Sequence, residues 1–348
     1  MKKSLVALAV AAALPAFAQA QTNVQLTGSI DLALESVNKD ANGGVSDMKL
    51  TQGINAGSRF AIVGSEDLGG GLRALFNMEH RISPDTGTIT TPAPATGPTA
   101  GLGPVFWAGQ AWVGLGGGFG TVRMGRQYTP VFRAMIVNDV SGYLYYNNSV
   151  GLAGTSVRFD NAIEYESPNI GGLVLRGTYA AGEDYSSGAT GTGSTVPSNK
   201  TGDKLGVSAN GAFGPIGFGI GYHTIDRGAG PLSNTKELAG GLNGKFGNFG
   251  LGLNYAQTEI DTGTVKAKRK GMYVGASAGL GAGTLFLVLK RDDPYGPTNT
   301  NNGIGVTYQH GLSKRTFLYA SAGMNKVERA GQSDLKPRNI ALGMRHFF

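Results

Sequence analysis

Arginines at alternate positions beside apolar residues are the side chains best suited to chemistry in this sequence, and that chemistry is electrostatic. Arg59 is out of phase with Phe60 and Ile62, Arg73 and Arg81 with Leu72, Phe76 and Met78, and Arg123 with Val122 and Met124. Successive side chains of an extended chain point to opposite faces, so these four arginines leave the face that carries the hydrocarbon. Charges gathered along a wall select passing ions by their field at close range. Arg126 breaks phase with Arg123, and a bend at Gly125 would bring it to the same side. Carboxylates share that face: Asp31, Glu35, Glu79, Glu164 and Glu166 read inward with the arginines. Asp139 is the acid in the heart of a long, largely apolar connection.

Covalent and metal chemistry find little support. His80, His223, His310 and His346 are scattered, and none has the H-E-x-x-H spacing that aims two imidazoles at one metal. There is no cysteine, which removes thiol catalysis, cysteine zinc sites and disulfides. The glycines form neither G-x-G-x-x-G nor a P-loop, and they read as turn residues between strands. No enzyme, metal or cofactor is expected. The net charge of +7 is spread along the chain, unlike the clustered basic footprint of a nucleic-acid binder.

The elements that carry these residues are strands. Lys2 and Lys3, the apolar run Leu5–Leu14, Pro15 and Ala18-Gln19-Ala20 read as a cleaved secretory signal over residues 1–20. That run is about half the ~20 residues a spanning helix needs. Residues 21–348 follow as one domain. Val24, Leu26, Gly28, Ile30, Leu32 and Leu34 alternate with Gln25, Thr27, Ser29, Asp31, Ala33 and Glu35. This period of two outlasts the ~5–6 residues of an ordinary strand and suits a tilted membrane strand. Ile340, Leu342, Met344, His346 and Phe348 repeat it at the other end. Short glycine-rich connections such as Glu66–Gly71, Gly116–Gly120 and Pro168–Gly172 alternate with long polar ones such as Ser83–Pro104, Tyr128–Asp160 and Gly182–Gly202. Seven short and eight long connections predict a sixteen-stranded antiparallel transmembrane β-barrel with both ends on one side. A soluble sandwich would have shorter strands and connections not sorted by length.

Several motifs resemble the general bacterial porins, especially those of betaproteobacteria. Ser58-Arg59-Phe60 with Gly64-Ser65-Glu66-Asp67-Leu68-Gly69-Gly70-Gly71-Leu72 resembles their second strand and first turn. Val113–Gly120 followed by Gly125-Arg126-Gln127, then Asn161–Pro168, resemble their fourth to sixth strands, and Gly343–Phe348 their C-terminal signature. The resemblance implies a homotrimeric porin whose third loop folds inward and narrows the pore, with Arg59 and Arg126 at the constriction. It also implies that Phe348 is read by the barrel-assembly machinery. Glu164 departs from the family, where a basic residue is frequent, and this weakens the anion preference.

Tyr128–Asp160 is the candidate constricting loop, because Phe132, Met135, Tyr143, Tyr145 and Tyr146 need a surface to pack on. Arg59, Arg73, Arg81, Arg123, Arg126, Asp139, Glu164 and Glu166 form the expected constriction set. Tyr179, Tyr222, Tyr255, Tyr308, Phe317, Tyr319 and Phe348 read as an outward interfacial girdle. The expected function is passive diffusion of ions and small hydrophilic solutes, weakly favouring anions. Expected partners are outer-membrane lipid and lipopolysaccharide, further copies of the chain and the assembly machinery. A surface adhesin or receptor using the loops Ser83–Pro104 and Gly182–Gly202, and a substrate-specific channel, are the alternatives.

Overall fold

Side-chain exposure along the first strand, β1 (Asn23–Asn38), already separates two environments. Ile30 and Leu34 are exposed, while Ser29, Asp31, Ala33, Glu35 and Val37 on the alternate positions are buried. The apolar set faces outward and the polar set inward, as in a membrane barrel wall. The computed structural model describes residues 22–38, 47–89, 106–182, 202–226, 234–261, 263–293 and 300–348. Residues 1–20, expected to be a secretory signal, and most of Ser83–Pro104 and Gly182–Gly202 lie outside the described residues.

The further strands are β2 (Asp47–Gln52), β3 (Arg59–Gly69), β4 (Leu72–Ser83), β5 (Thr88–Ile89), β6 (Ala111–Gly117), β7 (Gly120–Tyr128), β8 (Arg158–Glu166) and β9 (Val174–Ala180). They continue as β10 (Lys204–Phe213), β11 (Ile216–Asp226), β12 (Asn234–Phe246), β13 (Phe249–Asp261) and β14 (Lys266–Leu280). The last four are β15 (Gly283–Asp293), β16 (Asn301–Gly311), β17 (Thr316–Val327) and β18 (Arg338–Phe347). Neighbours pair antiparallel, and β18 returns to β1 through Ser29↔Phe347 to Asn38↔Arg338, which closes the ring. β2 and β3 pair in succession along one edge of β1, so they are two halves of one wall strand. Among the described residues β5 pairs only with the C-terminal end of β4. The wall therefore has sixteen strands, the number read from the connections.

The break between β2 and β3 is a structural device. Gly53 takes a positive φ of 81°, and the following residues turn towards Asp31. Asn55 and Ala56 donate their backbone N–H to Asp31 Oδ2 at 2.8 and 3.1 Å.

The core lies inside the barrel, beneath the third long loop (residues 129–157, here L3). L3 opens with helix α1 (Pro130–Ile136), which has proline in its first turn and Thr129 as its cap. Thr129 Oγ1 accepts from Phe132 N at 3.0 Å, satisfying one orphan donor of the helix start. Val131, Met135, Leu152 and Ala153 of L3 pack with Ala239, Ala256, Tyr273 and Val288 of the wall.

Glycines inside strands make room for this loop. A Cβ at Gly221 would collide with the carbonyl of Pro130, at Gly219 with that of Ala134, and at Gly252 with that of Asn138. A Cβ at Gly305 would lie 2.5 Å from Tyr146 O. Sequence reasoning had placed the glycines at turns; these four lie within strands, where the wall touches loop backbone.

Phe317 and Tyr319 correct the outward girdle. Both are buried, and Tyr319 donates to Asp31 Oδ1 at 2.7 Å inside the barrel. Tyr179, Tyr222 and Tyr255 remain exposed on the outer face. Phe348 pairs through its backbone with Gly28, N to O and O to N at 3.1 Å each.

Candidate pore constriction

L3 is fixed at many points, and those points account for several of the expected site residues. Asp139 accepts Ser141 N at 2.9 Å, Ser141 Oγ at 2.6 Å, Ser149 N at 2.9 Å and Tyr273 OH at 2.7 Å. Three donors converge on its Oδ1 and one reaches Oδ2, and it is buried. Asp139 is therefore a fastening of L3 and not an acid facing the arginines across the opening. Asn138 reinforces it, donating to Ala134 O at 2.9 Å and to Asn254 Oδ1 at 3.2 Å. Asn254 in turn donates to Met135 O at 3.0 Å. Ser156 donates its N–H and hydroxyl to Glu237 at 2.6 and 2.8 Å.

Glu164 is likewise not open to the pore. It is fully buried and joins Arg123 Nη1 at 3.1 Å, Arg133 Nη2 at 2.8 Å and Thr178 Oγ1 at 3.1 Å. Glu166 is shared by Arg123 at 3.1 Å and Arg176 at 2.7 Å. Arg133 belongs to α1, so the network ties L3 to β7, β8 and β9. Burial pushes the Arg133 guanidinium below its ordinary range, while Glu164 opposes the shift. Burial similarly raises the Tyr143 phenol, aided by Asp139. Tyr143 stacks on Phe132 with ring centroids 4.8 Å apart.

Removing one partner of such a buried charge pair leaves the other uncompensated, at a cost of about 3 kcal/mol or more. Glu164→Gln is therefore expected to lower the temperature at which the barrel unfolds on a heat-modifiability gel, with Glu259→Gln on the outer rim as the mild control. Equal melting of the two variants would contradict the role given to Glu164.

The arginines divide into separate groups. Arg123 faces inward over the Trp112 ring at 5.3 Å but is occupied by its two glutamates. Arg73 is exposed near the first turn, well away from L3. Arg126 keeps the opposite strand phase to Arg123, yet it lies within electrostatic reach of Arg158. Gly125 does bend, with φ of 127°, and the register shifts between Gly125 and Gln127. Arg126 nevertheless pairs with Ala111, out of phase with the inward Trp112, and its guanidinium meets Gly109 O, Ala108 O and Asp160.

Arg59 and Arg81 stand opposite each other on β3 and β4 and share Glu79, at 3.9 and 2.6 Å. Sequence reasoning missed their companions Arg158 and Arg345. Arg158 lies over the Tyr128 ring at 5.3 Å and is within electrostatic reach of Arg81 and Glu79. Arg345 donates to Asn55 Oδ1 at 2.6 Å and Ser29 Oγ at 3.0 Å, and it interacts with Arg59. Arg345 had a signal, since it alternates with Leu342, Met344 and other apolar residues of the last strand. Arg158 had none, because it lies where L3 rejoins the wall. Among the described residues this cluster sets Arg59, Arg81, Arg158 and Arg345 against Glu79 and Asp31, an excess of two positive charges.

A closed sixteen-strand wall with an inward third loop meets its relatives directly. The family described as Gram-negative porin matches residues 7–330. The chain belongs to the Gram-negative porin family. This porin is 31% identical to outer membrane porin protein 32 of Delftia acidovorans, over 99% of this chain and 95% of that one. It is 27% identical to an outer membrane porin of Bordetella pertussis, over the full length of both. An anion-selective porin from Comamonas acidovorans superposes with a TM-score of 0.79 at 26% identity, covering 94% of this chain and all of the other. The porin is thus an outer-membrane diffusion channel of a Gram-negative bacterium.

Proposed function

We propose that solutes cross between L3 and the wall bearing Arg59, Arg81, Arg158 and Arg345, and that this passage favours anions weakly. The observation that carries the reading is the charge excess of that cluster, which stands while Asp139, Glu164 and Glu166 are spent on fastening L3. Ordinary carboxylates elsewhere on the wall keep the preference modest. The similar Comamonas acidovorans structure is of an anion-selective porin, which supports the sign. Diffusion through such an opening needs no catalytic group, and the chain acts as a channel and not an enzyme. We assign residues 1–20 to a cleaved signal, the working unit to a homotrimer, and Phe348 to recognition by the assembly machinery. The constriction set becomes Arg59, Arg81 and Arg158, with buried Arg345 adding its charge from behind them, Glu79 tempering it and Arg73 at the periplasmic mouth.

Zero-current potentials across a planar bilayer in a KCl gradient test this. Steady open currents reversing part-way towards the chloride potential are expected. Reversal towards the potassium potential would overturn the sign, and a folded barrel without current would favour a receptor.

A further inference from the structure

At Tyr128 the chain leaves β7 for L3, and at Arg158 it rejoins the wall in β8; the two residues are partners in register. The Arg158 guanidinium lies over the Tyr128 ring, 5.3 Å from its centre. The ring itself is held from the side of the loop. The Arg133 guanidinium stands 5.8 Å from its centre, and the Phe132 ring is 4.7 Å away. Arg133 donates to both oxygens of Glu164, at 3.2 and 2.8 Å, and Phe132 stacks on Tyr143. Two residues of α1 thus fix the place of an aromatic face that Arg158 then uses.

Arg158 differs from the other arginines of the passage in what anchors it. Arg59 and Arg81 share Glu79, and Arg345 donates to Asn55 and Ser29. Arg158 has no ion pair among the described residues, and its buried Nε meets no hydrogen-bond acceptor. Arg81 and Arg126 lie within electrostatic reach and repel it, while Glu79 attracts it from beyond contact distance. A long side chain with a mobile charged end tends to swing away from such neighbours. The negative face of an aromatic ring holds a guanidinium against that drift.

We infer that Tyr128 is a positioning residue of the channel, whose ring keeps the Arg158 guanidinium beside the path of the solute. The field of a unit charge falls with distance and with screening, so an arginine that strays from the path loses much of its effect on a passing anion. Tyr128 is neutral and yet sets how strongly one charge of the cluster is felt. Arg133 keeps Glu164 without the ring, so loss of the ring leaves L3 in place. The inference rests on the passage proposed above and adds to it an uncharged residue that governs selectivity.

The test combines reversal potentials in a KCl gradient with single-channel conductance of the full barrel in a planar bilayer. Tyr128→Leu is expected to lower the chloride-to-potassium permeability ratio roughly twofold, against about threefold for Arg158→Ser, with conductance unchanged. Tyr128→Met refills the space without an aromatic face and is expected to do the same. Tyr128→Phe keeps the ring and is expected to keep the wild-type ratio. In a chain already carrying Arg158→Ser, Tyr128→Leu is expected to change nothing further. A folded Tyr128→Leu or Tyr128→Met barrel with the wild-type ratio would overturn the inference, as would an equal fall in Tyr128→Phe. A further fall in the Arg158→Ser background, or a rise in conductance beside the fall, would overturn it too, because the ring would then act through L3. If Arg158→Ser itself leaves the ratio alone, the passage reading fails and the inference with it. If only the Tyr128 variants do so, the passage stands and the inference alone falls.

Discussion

Replacing Arg59, Arg81 and Arg158 together by serine is expected to reverse the ion preference of the channel. The three changes turn the local excess of two positive charges into a deficit of one, with Arg345 left against Glu79 and Asp31. At roughly 6 Å from a passing ion a unit charge contributes about 0.7 kcal/mol in bulk-water dielectric. Screening at about 0.1 M salt halves this. The contribution has opposite signs for chloride and potassium, so each arginine alters their permeability ratio about threefold, and three alter it about thirtyfold. Reversal potentials of the triple variant in a KCl gradient provide the measurement. Arg123→Ser is the comparison, because its charge is matched by Glu164 and Glu166 and its removal disturbs L3 instead. A triple variant with the wild-type ratio would show that the current avoids this wall.

Gly221→Val is expected to open the channel. The added side chain would meet the Pro130 carbonyl and the Val131 Cα at the start of α1, and backbone cannot step aside as a side chain can. Either α1 leaves the wall or β11 bends, and the paired strand is the stiffer of the two. Overpacking of this kind costs typically about 1–3 kcal/mol. Unseating α1 also exposes Val131 and Met135, now fully buried, at about 2 kcal/mol each. Single-channel conductance should rise about twofold, with wider scatter between channels, while the barrel still migrates as a folded species. Gly118→Val, in a turn with open space around it and no positive φ, should leave conductance alone. Unchanged conductance in Gly221→Val would mean that L3 does not limit flow.

Both predictions depend on features of unequal legibility. The wall could be read from the sequence because its information is local: a period of two needs only neighbouring residues, and turn length needs only a short count. That L3 packs on a surface followed from its apolar content, and its inward placement from the resemblance to the porins. What escaped was decided by partners distant in the chain. Asp139 is neutral to the pore because Tyr273, 134 positions away, donates to it. Tyr319 turns inward to meet Asp31, 288 positions away. Arg126 follows its register partner Ala111, although the bend at Gly125 was foreseen. The glycine bed under L3 was visible as composition, yet its purpose needed the loop in place. The split of the second wall strand also had no local sign beyond Gly53 and Gly57.

That split strand bears on the order in which the molecule assembles. Asn55 donates to Asp31 of the first strand, accepts from Arg345 of the last, and offers its carbonyl to Tyr145 N of L3 at 3.1 Å. Arg345 reaches Asn55 only when the last strand pairs with the first. Until it does, Asn55 lacks one of its tethers and the tip of L3 has an incompletely held anchor. Narrowing of the passage and sealing of the wall are thus coupled events. A nascent barrel with an unzipped seam would be leaky through its side and loose at its centre together, and one closing step would cure both.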